Sequence, residues 1–284
     1  MKKLIILCSL CCALFGCDNV EKKAAIRLQA ARTAFEQGDY NEAKLQIDSI
    51  KLLYPKAFET RRAGIHLMQE VELAEQQKTI LYLDSLLEQK QAEQAKAVRH
   101  MTLEKDAEYQ QIGDYIHSSQ VIEKNLNRSF LRFMADERGV LKMTSIYCGS
   151  RSIHHTAVKV TAPDGSFAET PLSRESYETT NLGRNIEKCD FKLGNDGNVM
   201  GFIYLNRGKD LRVDFLGEQS YSTSMSATDR QALAATYELA QILSSITEIK
   251  KSREEAQQKI QFIQKKIKER NTEGNPEQKA GADS

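Results

Sequence analysis

Between residues 232 and 267, apolar side chains recur alternately every three and every four positions. Ala232, Ala235, Leu239, Ile242, Ile246, Ile249, Ala256, Ile260, Ile263 and Ile267 hold this spacing, and Arg253 is its one charged member. A repeat of this kind over five heptads is the a/d seam of a coiled coil. Glu, Gln, Lys and Arg fill the outer faces. Thr228 with Gln231 three residues later forms a capping box, so the pattern predicts a helix over 228–270. A weaker seam on the same register (Leu73, Ile80, Leu83, Leu87, Ala97, Met101) lies in a second helical stretch predicted over 58–118. It is interrupted by Gln76, Lys90 and Gln94. The expected arrangement is an antiparallel pair of legs within one chain, with Leu83 and Ile260 in one packed layer. About 40 helical residues at 1.5 Å each would make a stalk of about 60 Å. Parallel homodimerisation through the Ile-rich helix is the alternative.

The pattern changes between the two helices. Over 120–225 short apolar or alternating runs are punctuated by turn residues, which predicts a strand-rich module. Ser129–Ala135 and Val140–Tyr147 flank Asp136-Glu137-Arg138-Gly139. Ala157–Ala162 and Ser166–Thr170 flank Pro163-Asp164-Gly165, where Pro presets φ and Gly accepts the left-handed position. Ile186–Leu193 and Val199–Leu205 flank Asn195-Asp196-Gly197, and Leu211–Leu216 follows the turn at 207–210. Seven short strands joined this way suggest a small sandwich or half-barrel. The fold class expected is therefore α+β, with an antiparallel β head inserted between two stalk helices.

Residues 21–57 have a helical composition, nearly free of Gly and Pro. Gly38, Tyr40, Ala43, Ile47, Ile50 and Pro55 fall where a tetratricopeptide repeat carries its second-helix pattern, and the segment resembles one such repeat, about Ile26 to Ala57. Gly38-Asp39 makes the turn, Ala43 allows close helix approach, and Pro55 stops the helix. In the first helix Ala30, Ala31 and Ala34 suit close packing, while Arg27 stands where the family has a bulky aromatic. A lone repeat needs something else to bury its face. The following helix, another part of the chain, or a partner would serve.

The N-terminus alters the setting. Lys2 and Lys3 precede an apolar run from Leu4 to Phe15, too short to span a membrane but suited to a signal-peptide core. Leu14-Phe15-Gly16-Cys17 resembles the lipobox of bacterial lipoproteins. The resemblance implies cleavage of residues 1–16 by signal peptidase II and a diacylglycerol on the sulfur of Cys17. Residues 17–20 would then be the lipid attachment segment. Asp18 resembles an inner-membrane retention signal of enteric bacteria, a rule that does not carry to other phyla; the outer membrane is the expected location over the inner. Asn271 to Ser284 has the composition of a disordered tail.

Charge and cysteine count narrow the chemistry. The whole chain carries 40 basic and 39 acidic side chains; without Lys2 and Lys3 the balance is 38 to 39. That near-neutrality gives no reason to expect a nucleic-acid partner. Four of the six cysteines (8, 11, 12 and 17) lie in the leader and lipobox. Cys148 and Cys189 remain, and export to an oxidising compartment suggests a disulfide between them, two buried free thiols being the competing reading.

His154-His155, with Cys148 and Cys189, is the cluster with metal-ligand residue types. Adjacent residues on a strand point to opposite faces, so both histidines would not serve one ion, and neither metal nor cofactor is expected. Asp residues of the strand zone sit mostly in turns, and no pair stands out as an acid/base couple. The chain has no GxSxG, phosphate loop or CxxC. Asp48-Ser49-Ile50 and Asp84-Ser85-Leu86 resemble the O-glycosylation sequon of Bacteroides-type bacteria, which implies glycan on Ser49 and Ser85. The expected function is that of a non-catalytic interaction or scaffold protein of the bacterial envelope, anchored by its lipid and bound to another envelope protein. The whole resembles envelope lipoproteins of Bacteroides-type organisms. A ligand-binding or enzymatic β module, and an outer-membrane assembly factor, are the alternatives.

Overall fold

The computed structural model describes residues 2–106, 108–174, 176–181 and 183–273, except the side chains of 2–18 and of 273. In chain order the elements are α1 (Lys2–Glu36), α2 (Tyr40–Leu53), α3 (Phe58–Ala97), β1 (Met101–Glu104), β2 (Asp114–His117), β3 (Phe130–Asp136), β4 (Leu141–Gly149) and β5 (Ala157–Thr161). There follow β6 (Phe167–Glu169), β7 (Ser176–Asn181), β8 (Arg184–Lys192), α4 (Val199–Leu205), β9 (Arg212–Leu216), β10 (Ser220–Ser224) and α5 (Ala227–Glu273). The class is α+β: long helices α3 and α5 pack together, and antiparallel sheets are inserted between them in sequence. The chain divides into a helical unit (residues 1–85 and 251–284) and a β-rich unit (residues 86–250).

In the helical unit α1 and α2 form a hairpin. Gly38 turns the chain at φ +76°, and Asp39 caps α2 by accepting the Glu42 N–H at 3.0 Å. Ala31, Ala34, Ala43, Ile47, Leu67 and Val71 form one buried cluster, so α3 covers the face that the hairpin cannot bury alone. Ala30 is exposed instead. At Arg27, a guanidinium–Gln46 hydrogen bond of 2.9 Å replaces aromatic packing. α3 and α5 run antiparallel: Asp84 accepts from Arg253 at 2.6 Å, and Gln69 accepts from Arg270 at 3.0 Å. Leu83, Ala256, Ile260 and Ile263 are all buried. That register sets Leu83 opposite residues 254–256 of α5, so Ile260 lies four to six positions, about 6–9 Å, farther along the axis.

The β-rich unit holds a six-stranded sheet, β1-β2-β3-β4-β8-β7, and a four-stranded sheet, β10-β9-β5-β6. Every strand pair is antiparallel. Phe133, Met143 and Phe191 from the first sheet meet Val158, Val160, Val213 and Phe215 from the second in one core, which α4 and the start of α5 close with Met200, Ile203 and Leu233.

Three expectations are corrected here. α3 ends at Ala97, and part of the predicted first leg forms β1 and β2. The apolar periodicity of the leg has already thinned to Ala97 and Met101 by then, and Tyr115 and Ile116 pair with β3. Val199–Leu205 is a helix, not a strand: Asp196 accepts the Met200 N–H at 2.8 Å, and Val199, Met200 and Ile203 share one buried face. Short apolar runs do not distinguish the two states by pattern alone. The capping box of α5 is Ser226 with Asp229, whose N–H donates to the Ser226 hydroxyl at 3.1 Å, two residues before the predicted pair.

Candidate functional site

Strand alternation places Glu187, Cys189 and Phe191 of β8 on the side of the sheet that faces the core. Glu187 is 2% exposed, and its carboxylate is surrounded by donors. Oε1 accepts from Ser152 Oγ at 2.6 Å and from the N–H groups of Ile153 and His154 at 2.7 and 3.1 Å. Oε2 accepts the His155 N–H at 2.8 Å and lies 3.1 Å from His155 Nδ1. Burial works to raise this carboxyl's pKa, but the Ser152 hydroxyl and the backbone donors outweigh it and hold the group at about 2. The segment 152–155 wraps round the carboxylate with His154 at φ +49°, a conformation that side chains adopt only under constraint.

His155 Nε2 in turn lies 2.9 Å from Ser145 Oγ. Ser145, His155 and Glu187 thus form a hydroxyl–imidazole–carboxylate relay of the kind that activates nucleophiles. All three are buried, at 0%, 2% and 2% exposure. Burial, the largest influence, lowers the His155 pKa against the pull of Glu187. The ring packs edge-on against Phe215, with centroids 5.3 Å apart. Sealed in this way, the relay ties the 152–155 segment and β4 to β8.

His154 points the other way, exposed, with Nδ1 2.9 Å from Glu178 Oε1. The Glu178 hydrogen bond raises its pKa. His154, Glu178 and Glu187 bring ligand atoms within 4.8 Å of one another. The oxygens of Glu187 already accept the donors named above, however, which leaves His154 and Glu178 as the two groups able to turn to an ion. A structural zinc site takes four protein ligands. The two histidines do face opposite ways.

The expected Cys148–Cys189 disulfide is corrected by strand register. Cys189 lies opposite Ser145, and Cys148 opposite Ile186. The three-residue offset puts the cysteines on opposite faces and separates them by about 10 Å along the strands, beyond the ~7 Å that a bridge tolerates. Both are buried free thiols, and burial pushes Cys189 up to about 11. Ser49 and Ser85 lie within α2 and α3, not in loops; the Ser49 hydroxyl donates to the Leu45 carbonyl at 2.8 Å, and Ser85 is exposed. Cys17 and the signal segment fall outside the described side chains.

An open groove of about 1410 Å³ lies in the β-rich unit, lined by residues including Asp114, Asp136, Arg138, Lys142, Asp190 and Lys192 and by the 169–174 segment with Gly194, Asn195 and Gly197. Its charges are largely paired. Lys142 reaches Asp114 at 2.6 Å, Arg138 reaches Asp136 at 3.3 Å, and the Thr144 hydroxyl donates to Asp190. Such a surface, with Leu172 exposed at its rim, suits polar recognition of an extended chain better than enclosure of a small molecule.

A second polar hub was hidden in sequence. Gln120, wholly buried, donates to the Leu131 carbonyl and accepts the Phe133 N–H, both at 2.9 Å. Its amide thereby replaces a strand neighbour along β3. It also donates to Asp229 at 3.1 Å, and Arg128 grips the same carboxylate at 2.7 and 2.8 Å. Nothing local in the sequence marks Gln120, because its partners lie 11 to 109 residues away.

The fold and these clusters define an α+β chain made of a helical unit and a two-sheet unit with a sealed polar core. No family model, curated protein or solved structure matches the chain.

Proposed function

We propose that the chain is a lipid-anchored protein of the bacterial envelope that works by binding another envelope protein, with Cys17 as its anchor. The observation that carries the binding part is the contrast between the two polar sites of the β-rich unit. The relay that has catalytic residue types is closed to solvent, while the large groove is open and lined by side chains of both charges, some paired with each other and others, Lys192 among them, without an ion pair of their own in the groove among the described residues. An open, charge-patterned groove selects a partner by electrostatic complementarity. The anchor part is supported by the lipobox resemblance of Leu14-Phe15-Gly16-Cys17.

The test is capture from detergent-solubilised envelope by the full-length protein, compared with the double variant Lys142→Glu/Lys192→Glu. The reading expects a discrete partner recovered by the native protein and lost with the charge-reversed groove. Equal recovery by both would remove the groove from the account.

A further inference from the structure

In the helical unit, the corner between α2 and α3 exposes three large apolar side chains in close succession: Leu52 at 77%, Leu53 at 59% and Phe58 at 70%. These side chains sit in a basic setting. Residues 18–27 and 48–62 hold seven basic side chains and four acidic ones, in a chain that is otherwise close to neutral. Of the four acids, Glu21 is directed inward. Its Oε2 accepts from the Thr60 hydroxyl at 2.6 Å, and the carboxylate lies 3.3 and 3.4 Å from the N–H groups of Glu59 and Thr60, closing the start of α3.

That contact also fixes where the corner lies relative to the N-terminus. Ala24, Ile50 and Ala57 form a small buried cluster with Val20 and Tyr54 packed against it. The first turns of α1 that carry described side chains are therefore bolted to the α2–α3 corner. Glu21 is four residues from Cys17. Even a fully extended chain of that length spans only about 14 Å, so a lipid on Cys17 has to enter its bilayer close to Leu52, Leu53 and Phe58.

We infer that the α2–α3 corner is a membrane-contact face: Leu52, Leu53 and Phe58 enter the interface of an anionic phospholipid surface, and Lys51, Lys56 and Arg62 meet its phosphates. Apolar side chains flanked by Lys and Arg are the composition that binds such a surface. The inference rests on the reading of Cys17 as lipidated, and its effect would be to hold the helical unit at a set orientation on the bilayer.

The protein has no tryptophan, so Phe58→Trp provides a single reporter at an exposed position. The full-length lipoprotein carrying it is reconstituted into vesicles of phosphatidylethanolamine and phosphatidylglycerol with bromine-labelled acyl chains. The expected result is a blue-shifted emission, quenched by the bromines, with both effects reduced in Lys51→Glu/Lys56→Glu and in purely phosphatidylcholine vesicles. Leu81→Trp, equally exposed at 72% and about 35 Å farther along α3, should keep its solution spectrum. Vesicle-bound protein whose Phe58→Trp emission matches that in solution would overturn the inference while leaving the lipid anchor intact. So would shielding that appears only when envelope proteins are added. Protein that carries no acyl chain and does not float with vesicles would instead defeat the lipoprotein reading itself.

Discussion

At the scale of single residues, stability of the β-rich unit depends on charges and amides that are buried with their partners. Glu187 makes the clearest pH prediction. Its folded pKa is depressed, so its contribution is full above the usual carboxylate range and is lost as pH falls from about 4.5 toward 2. His155, lowered by burial, acts in the same direction from a higher pH: below its ordinary value of 6.5 the unfolded chain takes up a proton that the folded one resists. Melting temperature should therefore decline in two stages on acidification. His155→Gln should shrink the upper stage, to which the partly buried His117 also contributes, and Glu187→Gln should flatten the lower one at a cost of about 3 kcal/mol. A melting temperature constant from pH 7 to pH 4 would contradict this. Gln120→Leu should cost a similar ~3 kcal/mol, because it strands the Phe133 N–H and Leu131 carbonyl inside the protein; urea unfolding measures it. The thiols give a third residue-scale test. Alkylation of denatured, unreduced protein should label both Cys148 and Cys189, and native protein should resist labelling at Cys189. A mass showing both blocked without reductant would contradict the register of β4 and β8.

At the scale of elements, legibility followed the length and continuity of the pattern. The seam of α5 was readable because buried positions such as Leu239, Ile246, Ile249, Ala256, Ile260 and Ile263 repeat over many turns. The β3–β4 hairpin was readable because Gly139 is needed. It sits at φ +91°, and a Cβ there would lie 2.2 Å from the Ser244 backbone nitrogen. Gly139→Ala should accordingly cost about 2 kcal/mol or more. Short or exposed elements were not readable. β7 and β10 are solvent-facing along most of their length and show little apolar alternation, although each forms a hairpin with the strand next to it in sequence, β8 and β9. α4 is seven residues long, too short for its helical period to outweigh an apolar run. The candidate relay is not legible in the sequence for a related reason. The alternation of β8 puts Glu187 in line with Cys189 and Phe191, an inward-facing signal, but its partners Ser145 and His155 come from separate strands and loops.

At the scale of the whole molecule, two units with different kinds of core should respond separately to damage. Ile260 belongs to the helical unit and is buried, so Ile260→Asp places an unpaired charge in its seam at a cost of several kcal/mol, about 3 or more. Helical circular dichroism should be lost at lower temperature, while protection of β4 and β8 amides against hydrogen exchange persists. Simultaneous loss of both would mean that the units unfold as one. Among the described residues, no helix is long and apolar enough to cross a membrane. The proposed association with the envelope is argued from Cys17, and the most direct test is intact-mass spectrometry of the protein purified from bacterial membranes. The account predicts a chain beginning at Cys17 with the added mass of a diacylglycerol on that residue, and its loss in Cys17→Ser. An unmodified chain beginning at any other residue would contradict it.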